Sequence, residues 1–361
     1  MRQLEIDGRR IHDEGDAFVI AEIGHNHQGS VEKAMELFHA AKDCGVDAVK
    51  LQKRDNRTLY TRDYYDAAYD SENSFGPTYG AHREALEFDR DEYVELLRCA
   101  RELGLTFFAT AFDVPSANLL AELDMPAFKI ASGDLHNAPL LRHVAGLGKP
   151  IVLSTGGATM DDVQRAVDTV LPLNEQICIL QCTAAYPAET DELNLRVITT
   201  LRDRFPELVI GLSDHQNGIA MAVVAYMLGA RVIEKHFTLN HAWKGTDHAF
   251  SLMPEGMRRL VRDLRRAPAA LGDGVKRPLD CEQQALVKMG KKLVASRDLD
   301  AGHVLTEGDV AIKSPADGGL RPYELDRLLG RPLRRPLRGE ETIFLEDVEP
   351  VEVSARAAPA Q

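Results

Sequence analysis

Cysteine and long apolar runs are scarce in this sequence. The five cysteines among 361 residues lie far apart and form no Cys-X-X-Cys pair, so neither a disulfide framework nor a zinc cluster is predicted. No apolar stretch approaches the ~20 residues that cross a membrane, and residues 1–10 lack the apolar core of a signal peptide. We therefore expect reduced thiols, no membrane partner and a cytoplasmic location.

Positive charge is also in short supply, since 43 lysines and arginines face 56 acidic residues, a net charge of −13. A surface of this sign repels nucleic acid and anionic membranes at long range, so neither is an expected partner. An anionic substrate would have to be bound by positive charge concentrated at one place.

Short apolar runs alternate with amphipathic stretches through residues 18–264. The runs are 18–21, 48–51, 106–109, 127–130, 151–153, 177–180, 208–212 and 231–233. Eight strands, each followed by a helix, within about 250 residues are typical of an α/β fold, the (β/α)8 TIM barrel. An open doubly wound sheet is the alternative, but residues 24–29 (GHNHQG) are not the glycine-rich turn that such a sheet uses for phosphate.

The remaining segments define the domain organisation. Residues 4–11 (LEIDGRRI) have the composition of a tight hairpin, expected to plug or flank the barrel. We assign residues 1–264 to hairpin and barrel, 265–292 to a linker, 293–349 to a compact β-rich module, and 350–361 to a frayed tail.

Polar residues cluster where the predicted strands end, which is the end that builds the active site of a barrel. They are Glu22, Lys50, Gln52, Thr110, Lys129, Ser132, Ser154, Tyr186, Ser213, His215, Glu234 and His236. Two lysines at one mouth require an anionic ligand or neighbouring carboxylates. Glu22 could neutralise one of them in a purely structural ion pair, but two cations with three serine hydroxyls suit a small phosphorylated acid.

His215 and His236 end adjacent strands at equivalent heights, so their imidazoles could converge on one metal ion. Catalytic zinc usually has three protein ligands, which makes Mn²⁺ or Mg²⁺ the better candidates for a pair. We interpret His25 and His27 as loop residues rather than ligands. Cys182 is interpreted as a core thiol.

The motifs in order along the chain resemble those of the sialic acid synthases over nearly the full length. They are residues 21–29 (AEIGHNHQG), 50–53 (KLQK), 129–134 (KIASGD), 182–187 (CTAAYP), 213–215 (SDH) and 234–239 (EKHFTL). The segment 293–347 is similar to that family's C-terminal antifreeze-like module, a SAF domain of β-clip fold. The resemblance implies a domain-swapped homodimer in which this module covers the partner's barrel mouth.

The resemblance also implies a reaction and roles for its residues. Phosphoenolpyruvate would attack the metal-bound aldehyde of an open-chain N-acylmannosamine, and phosphate would leave by C–O cleavage. The metal would be Mn²⁺, with Mg²⁺ or Co²⁺ as alternatives. By this match Glu22 and Asp134 are catalytic, and His215 and His236 hold the metal. The residues that bind phosphoenolpyruvate are Lys50, Lys129, Ser132, Ser154 and Ser213. Gln52, Tyr186 and Asp247 match positions that contact the acceptor or support the residues that do, and Thr110 is a further residue expected to bind substrate.

Three positions depart from the family pattern. Asp134 replaces a glutamate, Ala184 stands where many members have an amide or hydroxyl, and Ser314 opens a Ser-Pro-Ala segment where many bacterial members have Arg-Pro-Gly. Each departure bears on acceptor recognition or on proton transfer.

Residues 78–83 and 243–248 are similar to the animal-type synthases, whose acceptor is 6-phosphorylated, and the candidate cations for such a phosphate are Arg54, Arg57, Arg83 and Lys244. The acceptor stays open among N-acetylmannosamine, its 6-phosphate, mannose 6-phosphate and the diamino sugars that lead to legionaminate. A Schiff-base aldolase using Lys50 or Lys129 and a non-catalytic sugar-binding protein remain the rival functions.

Overall fold

A computed structural model describes residues 2–350, so the predicted tail lies outside the described residues except for Pro350. The chain divides into two compact units between Gly272 and Asp273. No helix within the described part of the chain combines the length and the apolar character that a membrane crossing needs.

The first unit contains a closed barrel of eight parallel strands, which confirms the predicted fold. Neighbouring strands follow chain order, and the last pairs with the first, His236 opposite Glu22. The barrel strands are β3 (Phe18–Gly24), β4 (Ala48–Lys53), β5 (Thr106–Ala111), β6 (Phe128–Ile130), β7 (Ile151–Ser154), β8 (Ile177–Cys182), β9 (Val209–Asp214) and β10 (Val232–His236).

The helices that pack apolar faces on the outside of the barrel are α1 (Val31–Cys44), α5 (Arg90–Leu103), α6 (Val114–Glu122), α7 (Ala138–Gly146), α8 (Met160–Val170), α9 (Val197–Arg204), α10 (Ala220–Met227) and α11 (Pro254–Leu271). Three short helices, α2 (Asn56–Leu59), α3 (Arg62–Asp66) and α4 (Tyr79–Glu84), lie in the long segment between β4 and β5. In α1 the Ser30 side chain accepts the amide of Lys33, and Gly45 ends the helix at φ 82°.

The amino-terminal hairpin closes the bottom of the barrel. Its strands β1 (Gln3–Ile6) and β2 (Arg9–His12) place Leu4, Ile6 and Ile11 in one buried cluster with inward side chains of the barrel strands. Phe18 and Ile20 belong to this cluster, whereas Glu22, two residues further on, lines a polar cavity. Because side chains alternate along a strand, each strand gives apolar residues to the lower layers and polar ones to the mouth.

The predicted domain boundary at 264/265 falls inside helix α11, which continues to Leu271. The first unit ends at Gly272. The sequence Ala267-Pro268 suggested a break, but the helix contains Pro268. Leu260 and Leu264 of α11 are buried against the barrel, and Arg265 donates two 2.7 Å hydrogen bonds to Asp47. Tertiary packing therefore extends the helix beyond the point where composition alone placed its end.

The second unit is small and built around its own apolar cluster. It contains helix α12 (Gln283–Met289) and an antiparallel pair of strands, β11 (Lys292–Ala295) and β12 (Val310–Lys313). Leu293, Leu328 and Ile343 are fully buried within it. The compact β-rich module predicted for 293–349 lies inside this unit.

Candidate active site

The carboxyl ends of the barrel strands surround a cavity of about 650 Å³. Twelve of the predicted site residues line it, namely Glu22, Lys50, Gln52, Thr110, Lys129, Ser132, Ser154, Tyr186, Ser213, His215, His236 and Asp247. The structure thus brings together in one cavity side chains from all eight strands or the loops that follow them.

Lys50 is the centre of an ionic network at the floor of this cavity. Its ammonium lies 2.6 Å from Glu22 Oε2 and 3.8 Å from Glu234 Oε2, and it donates to Thr110 Oγ1 at 2.9 Å. The sequence analysis considered that Glu22 could form an ion pair with a cavity lysine, and the structure contains this ion pair, with Lys50. With only 2% of Lys50 exposed, breaking either side of this network would leave a buried charge uncompensated.

The pKa values of the two carboxyl groups in the network shift in opposite directions. Burial raises the pKa of Glu22, although Lys50 opposes the shift. Burial also acts on Glu234, but there Lys50 and Lys129 outweigh it and hold the pKa below its ordinary value. Of the two carboxyl groups, Glu22 is therefore the one whose environment favours the protonated form, and Glu234 is the one whose environment favours the charged form.

Lys129 and the serines form a second group, in which Ser213 Oγ donates to Glu234 Oε1 at 3.1 Å and Ser132 Oγ donates to Cys182 Sγ at 3.6 Å. Lys129 is 3% exposed, and its ammonium donates to the carbonyl of Ile130 at 2.7 Å. Ser154 Oγ is buried without a hydrogen-bond partner, and Ser132 Oγ accepts the amide of Gly156 at 2.9 Å. A buried hydroxyl without a partner, in the same cavity as two buried lysines, indicates a place for an anion.

The two histidines at the ends of β9 and β10 have ring centroids 5.4 Å apart. Nδ1 of His215 lies 2.9 Å from the carbonyl of Thr183, which assigns the proton to Nδ1 and leaves the Nε2 lone pair free. Nδ1 of His236 is buried without a hydrogen-bond partner and lies 3.8 Å from Asp247 Oδ2. Free imidazole nitrogens in a closed polar cavity are the donor chemistry that a divalent transition metal requires.

The protein itself supplies few further ligands. Among residues 2–350 no group of three or more histidine, cysteine, aspartate and glutamate side chains is arranged to hold a metal ion. The imidazole pair therefore fits an ion that takes its remaining ligands from water or substrate oxygen, and it does not fit a structural zinc centre.

Comparison with known proteins agrees with this geometry. The model of the NeuB family matches residues 37–276, and the SAF domain model matches residues 292–349. The chain belongs to the NeuB family. It is an enzyme of the sialic acid synthase type, as the sequence motifs indicated.

Relatives of this NeuB-family chain include synthases for several nine-carbon sugar acids. N-acetylneuraminate-9-phosphate synthase of Homo sapiens is 40% identical over 348 residues, which cover 96% of this chain and 97% of the relative. N,N'-diacetyllegionaminic acid synthase of Legionella pneumophila is 36% identical, over 92% and 94% of the two chains. The crystal structure of the N-acetylneuraminic acid synthetase of Leptospira borgpetersenii superposes with a TM-score of 0.67 at 32% identity, covering 79% of this chain and 95% of that one.

Three further predicted residues that line the NeuB-type cavity are Gln52, Tyr186 and Asp247. Gln52 donates to Glu22 Oε1 at 2.8 Å, and the ring of Tyr186 lies 4.2 Å from that of His215. Asp247 accepts the hydroxyl of Thr246 at 2.8 Å. Asp134 is the one predicted site residue that is not among those lining the cavity, and its carboxylate accepts the side-chain amide of Asn137 at 3.1 Å.

Two other departures from the family pattern have simple local surroundings. Ala184 lines the cavity with a methyl group, so this position offers no hydrogen bond to a ligand. In the second unit, Ser314 Oγ accepts the ammonium of Lys291 at 2.6 Å.

Several cavity residues were not assigned to the NeuB-type site from the sequence. Glu234 was noticed only as a strand-end residue, and its position two residues before His236 was the signal that it faces inward. Cys182 lines the cavity as well, with its thiol 3.8 Å from His215 Nδ1. His25 lies between the guanidinium groups of Arg54 and Arg83, both of which line the cavity.

Proposed function

We propose that this NeuB-family enzyme condenses phosphoenolpyruvate with the open-chain form of an N-acylmannosamine, or of its 6-phosphate, to give a nine-carbon 2-keto acid and inorganic phosphate. The observation that carries the proposal is the cavity itself, in which two buried lysines and a serine hydroxyl without a partner lie beside a histidine pair. The names of the relatives support the substrate class.

The phosphate and carboxylate of phosphoenolpyruvate are assigned to Lys50, Lys129 and the hydroxyls of Ser132, Ser154 and Ser213. This places the trianion where the protein has concentrated positive charge in spite of its net charge of −13. Ser154 Oγ gains the hydrogen bond that it lacks in the free enzyme.

The proposed reaction forms one carbon–carbon bond and breaks one carbon–oxygen bond. C3 of phosphoenolpyruvate attacks C1 of the aldose, and the aldehyde oxygen takes a proton. Water adds at C2 and gives up a proton, after which phosphate leaves with the bridging oxygen. Glu22, buried and held by Lys50 and Gln52, is the group that moves a proton during these steps.

His215 and His236 are proposed to hold a divalent metal, with Mn²⁺ preferred over Mg²⁺ or Co²⁺. When bound, the metal supplies Lewis-acid polarisation of the acceptor's carbonyl oxygen. The Thr183 carbonyl keeps His215 in the tautomer that ligates through Nε2. Tyr186 and Phe250 pack around the two imidazoles and restrict water on that side.

We further propose that the enzyme is a cytoplasmic homodimer in which the SAF domain of one subunit covers the partner's barrel mouth. Support comes from the family resemblance and from the segment that joins the two matched domains. Within this segment, residues 277–291, the side chains of Leu279, Leu286 and Met289 are apolar and exposed, which is unusual for a surface that stays in water.

The acceptor is tested by phosphate release from phosphoenolpyruvate in the presence of Mn²⁺ and one sugar at a time. The sugars are N-acetylmannosamine, its 6-phosphate, mannose 6-phosphate and the diamino sugar that leads to legionaminate. We expect sugar-dependent release with at least one of them, detected as inorganic phosphate and as a 2-keto acid in equal amounts. Absence of release with all four would refute the proposed function.

The rival function, a Schiff-base aldolase, is tested in a parallel sample with borohydride. A Schiff base on Lys50 or Lys129 would be trapped by borohydride in the presence of substrate and would not require a metal. We expect no borohydride-dependent inactivation, because Lys50 is ion-paired with Glu22 and lies near Glu234, and Lys129 donates to the carbonyl of Ile130.

A further inference from the structure

One histidine in the cavity lies between two arginine side chains. His25 lies between two arginines, with Nε2 at 3.0 Å from Arg54 Nη1 and Nδ1 at 3.3 Å from Arg83 Nη1. Burial and the two guanidinium groups lower the pKa of His25 well below its ordinary value, so the ring is neutral. A neutral imidazole has one acceptor nitrogen, and it therefore satisfies only one of the two arginines.

Of the two arginines, Arg54 has more hydrogen-bond acceptors around its guanidinium group. It has the shorter contact to His25, donates to Gln52 Oε1 at 2.7 Å, and stacks 3.7 Å from the centroid of the Phe112 ring. Glu87 adds a carboxylate oxygen at 3.9 Å. With Nε2 of His25 accepting from Arg54, Nδ1 carries the proton and faces Arg83 donor to donor.

Arg83 consequently has N–H groups to spare. Its Nε and Nη2 both donate to the hydroxyl of Tyr79, at 3.0 and 2.8 Å, which fixes the plane of the guanidinium. Within residues 2–350 no carboxylate oxygen lies within 4.0 Å of it as an ion-pair partner. Asp247, whose charge acts on Arg83, is hydrogen-bonded to Thr246 and lies beside His236.

The position of Arg83 separates it from the subsite assigned to phosphoenolpyruvate. Arg83 belongs to α4, in the long segment after β4, whereas Lys50 and Lys129 point inward from the strands themselves. Asn73, in the same segment, also lines the cavity, and its side-chain oxygen is occupied by the amide of Gly245, so that its NH₂ group remains free. Arg83 and Asn73 thus form a second set of hydrogen-bond donors lining the same cavity.

We propose that Arg83, oriented by Tyr79, selects an acceptor aldose that carries a phosphate ester on its terminal carbon. This inference rests on the proposed function, because it names which of the two acceptor classes the same site prefers. A planar guanidinium edge with free donors is suited to two phosphate oxygens at once. The other phosphate that could occupy this place is the inorganic phosphate cleaved from phosphoenolpyruvate, and the experiment separates the two.

The test compares kcat/KM for N-acetylmannosamine 6-phosphate and for N-acetylmannosamine in the wild type and Arg83→Gln. The wild type should prefer the phosphorylated sugar, and the variant should lose on the order of 10²-fold with that sugar alone, since charge-assisted bonds to the phosphate are removed. With N-acetylmannosamine the change should stay within about threefold. The KM for phosphoenolpyruvate should be unaltered.

Two conservative variants keep the proposal testable if Arg83→Gln folds poorly. Arg83→Lys retains the positive charge but not the paired N–H groups of the guanidinium, and its kcat/KM with the phosphorylated sugar should fall less than that of Arg83→Gln. Tyr79→Phe should lose about tenfold in kcat/KM with the phosphorylated sugar only. Arg57→Gln is the matched control, because Arg57 is exposed on the same segment, packs on the Tyr65 ring and does not line the cavity. It should behave as wild type.

Equal losses with both sugars, or a rise in the KM for phosphoenolpyruvate, would overturn the proposal. If the Arg83→Gln variant loses activity equally with both sugars and is also inhibited less by inorganic phosphate, Arg83 binds the phosphate cleaved from phosphoenolpyruvate instead. A wild type that prefers the unphosphorylated sugar also overturns it, while leaving the condensation reaction intact. A wild type that uses neither sugar refutes the proposed function itself.

Discussion

The Glu22→Gln variant should lose about 10²- to 10⁴-fold in kcat while the KM for phosphoenolpyruvate stays the same or falls, because removal of a general acid–base group has this magnitude. Glutamine keeps the size of the side chain and can still contact Gln52 and Lys50. It cannot take up or release a proton. Loss of the negative charge leaves Lys50, which is 2.6 Å from Glu22, with more charge for the incoming anion.

This division between kcat and KM distinguishes proton transfer from a purely structural ion pair. If Glu22 served only to neutralise Lys50, the variant would change binding of phosphoenolpyruvate and would keep most of its kcat. Glu5→Gln is the matched control, since Glu5 is exposed on the hairpin at the opposite end of the barrel. Thermal unfolding of each variant checks that a loss of activity is not a loss of folded protein.

Removal of the metal by EDTA should lower the activity by on the order of 10³-fold, and Mn²⁺ should restore it, because Lewis-acid stabilisation is worth several kcal/mol. His215→Ala and His236→Ala should each prevent recovery at Mn²⁺ concentrations that saturate the wild type. The measurement is activity together with bound manganese after dialysis, so that metal binding is followed independently of turnover.

An exposed histidine serves as the control for the metal experiment. His39 is exposed on α1, outside the cavity, and His39→Ala should retain both manganese and activity. Full activity in EDTA, with no loss in either cavity variant, would mean that the imidazole pair has no metal to hold. The carbonyl of the acceptor would then have to be polarised by the cationic side chains alone.

The barrel was predictable because each of its strands buries an apolar run against helices. Runs such as 48–51 and 177–180 became strands β4 and β8, and the structure extends them to Lys53 and Cys182. The alternation of side chains then determined which polar residues share the cavity. Strand-end position was therefore enough to bring Lys50 and His236 into one site.

Contacts between loops were not predictable in the same way. The position of His25 between Arg54 and Arg83 depends on how the segment after β4 folds over the mouth, and no periodicity in the sequence encodes that arrangement. Asp134 matched a catalytic position by motif, yet its carboxylate contacts Asn137 because a short 3₁₀ turn over Ser132–Asp134 directs it there. Helix α11 ran past its predicted end because packing outweighed Pro268.

The central claim, condensation with cleavage of the C–O bond of phosphoenolpyruvate, is tested most directly by labelling the bridging oxygen. Phosphoenolpyruvate with ¹⁸O between C2 and phosphorus is turned over with the preferred sugar, and the products are analysed by ³¹P NMR and mass spectrometry. We predict that the label leaves with inorganic phosphate and that the new keto acid contains none of it. Label retained in the keto acid would show cleavage of the P–O bond and would contradict the proposed reaction.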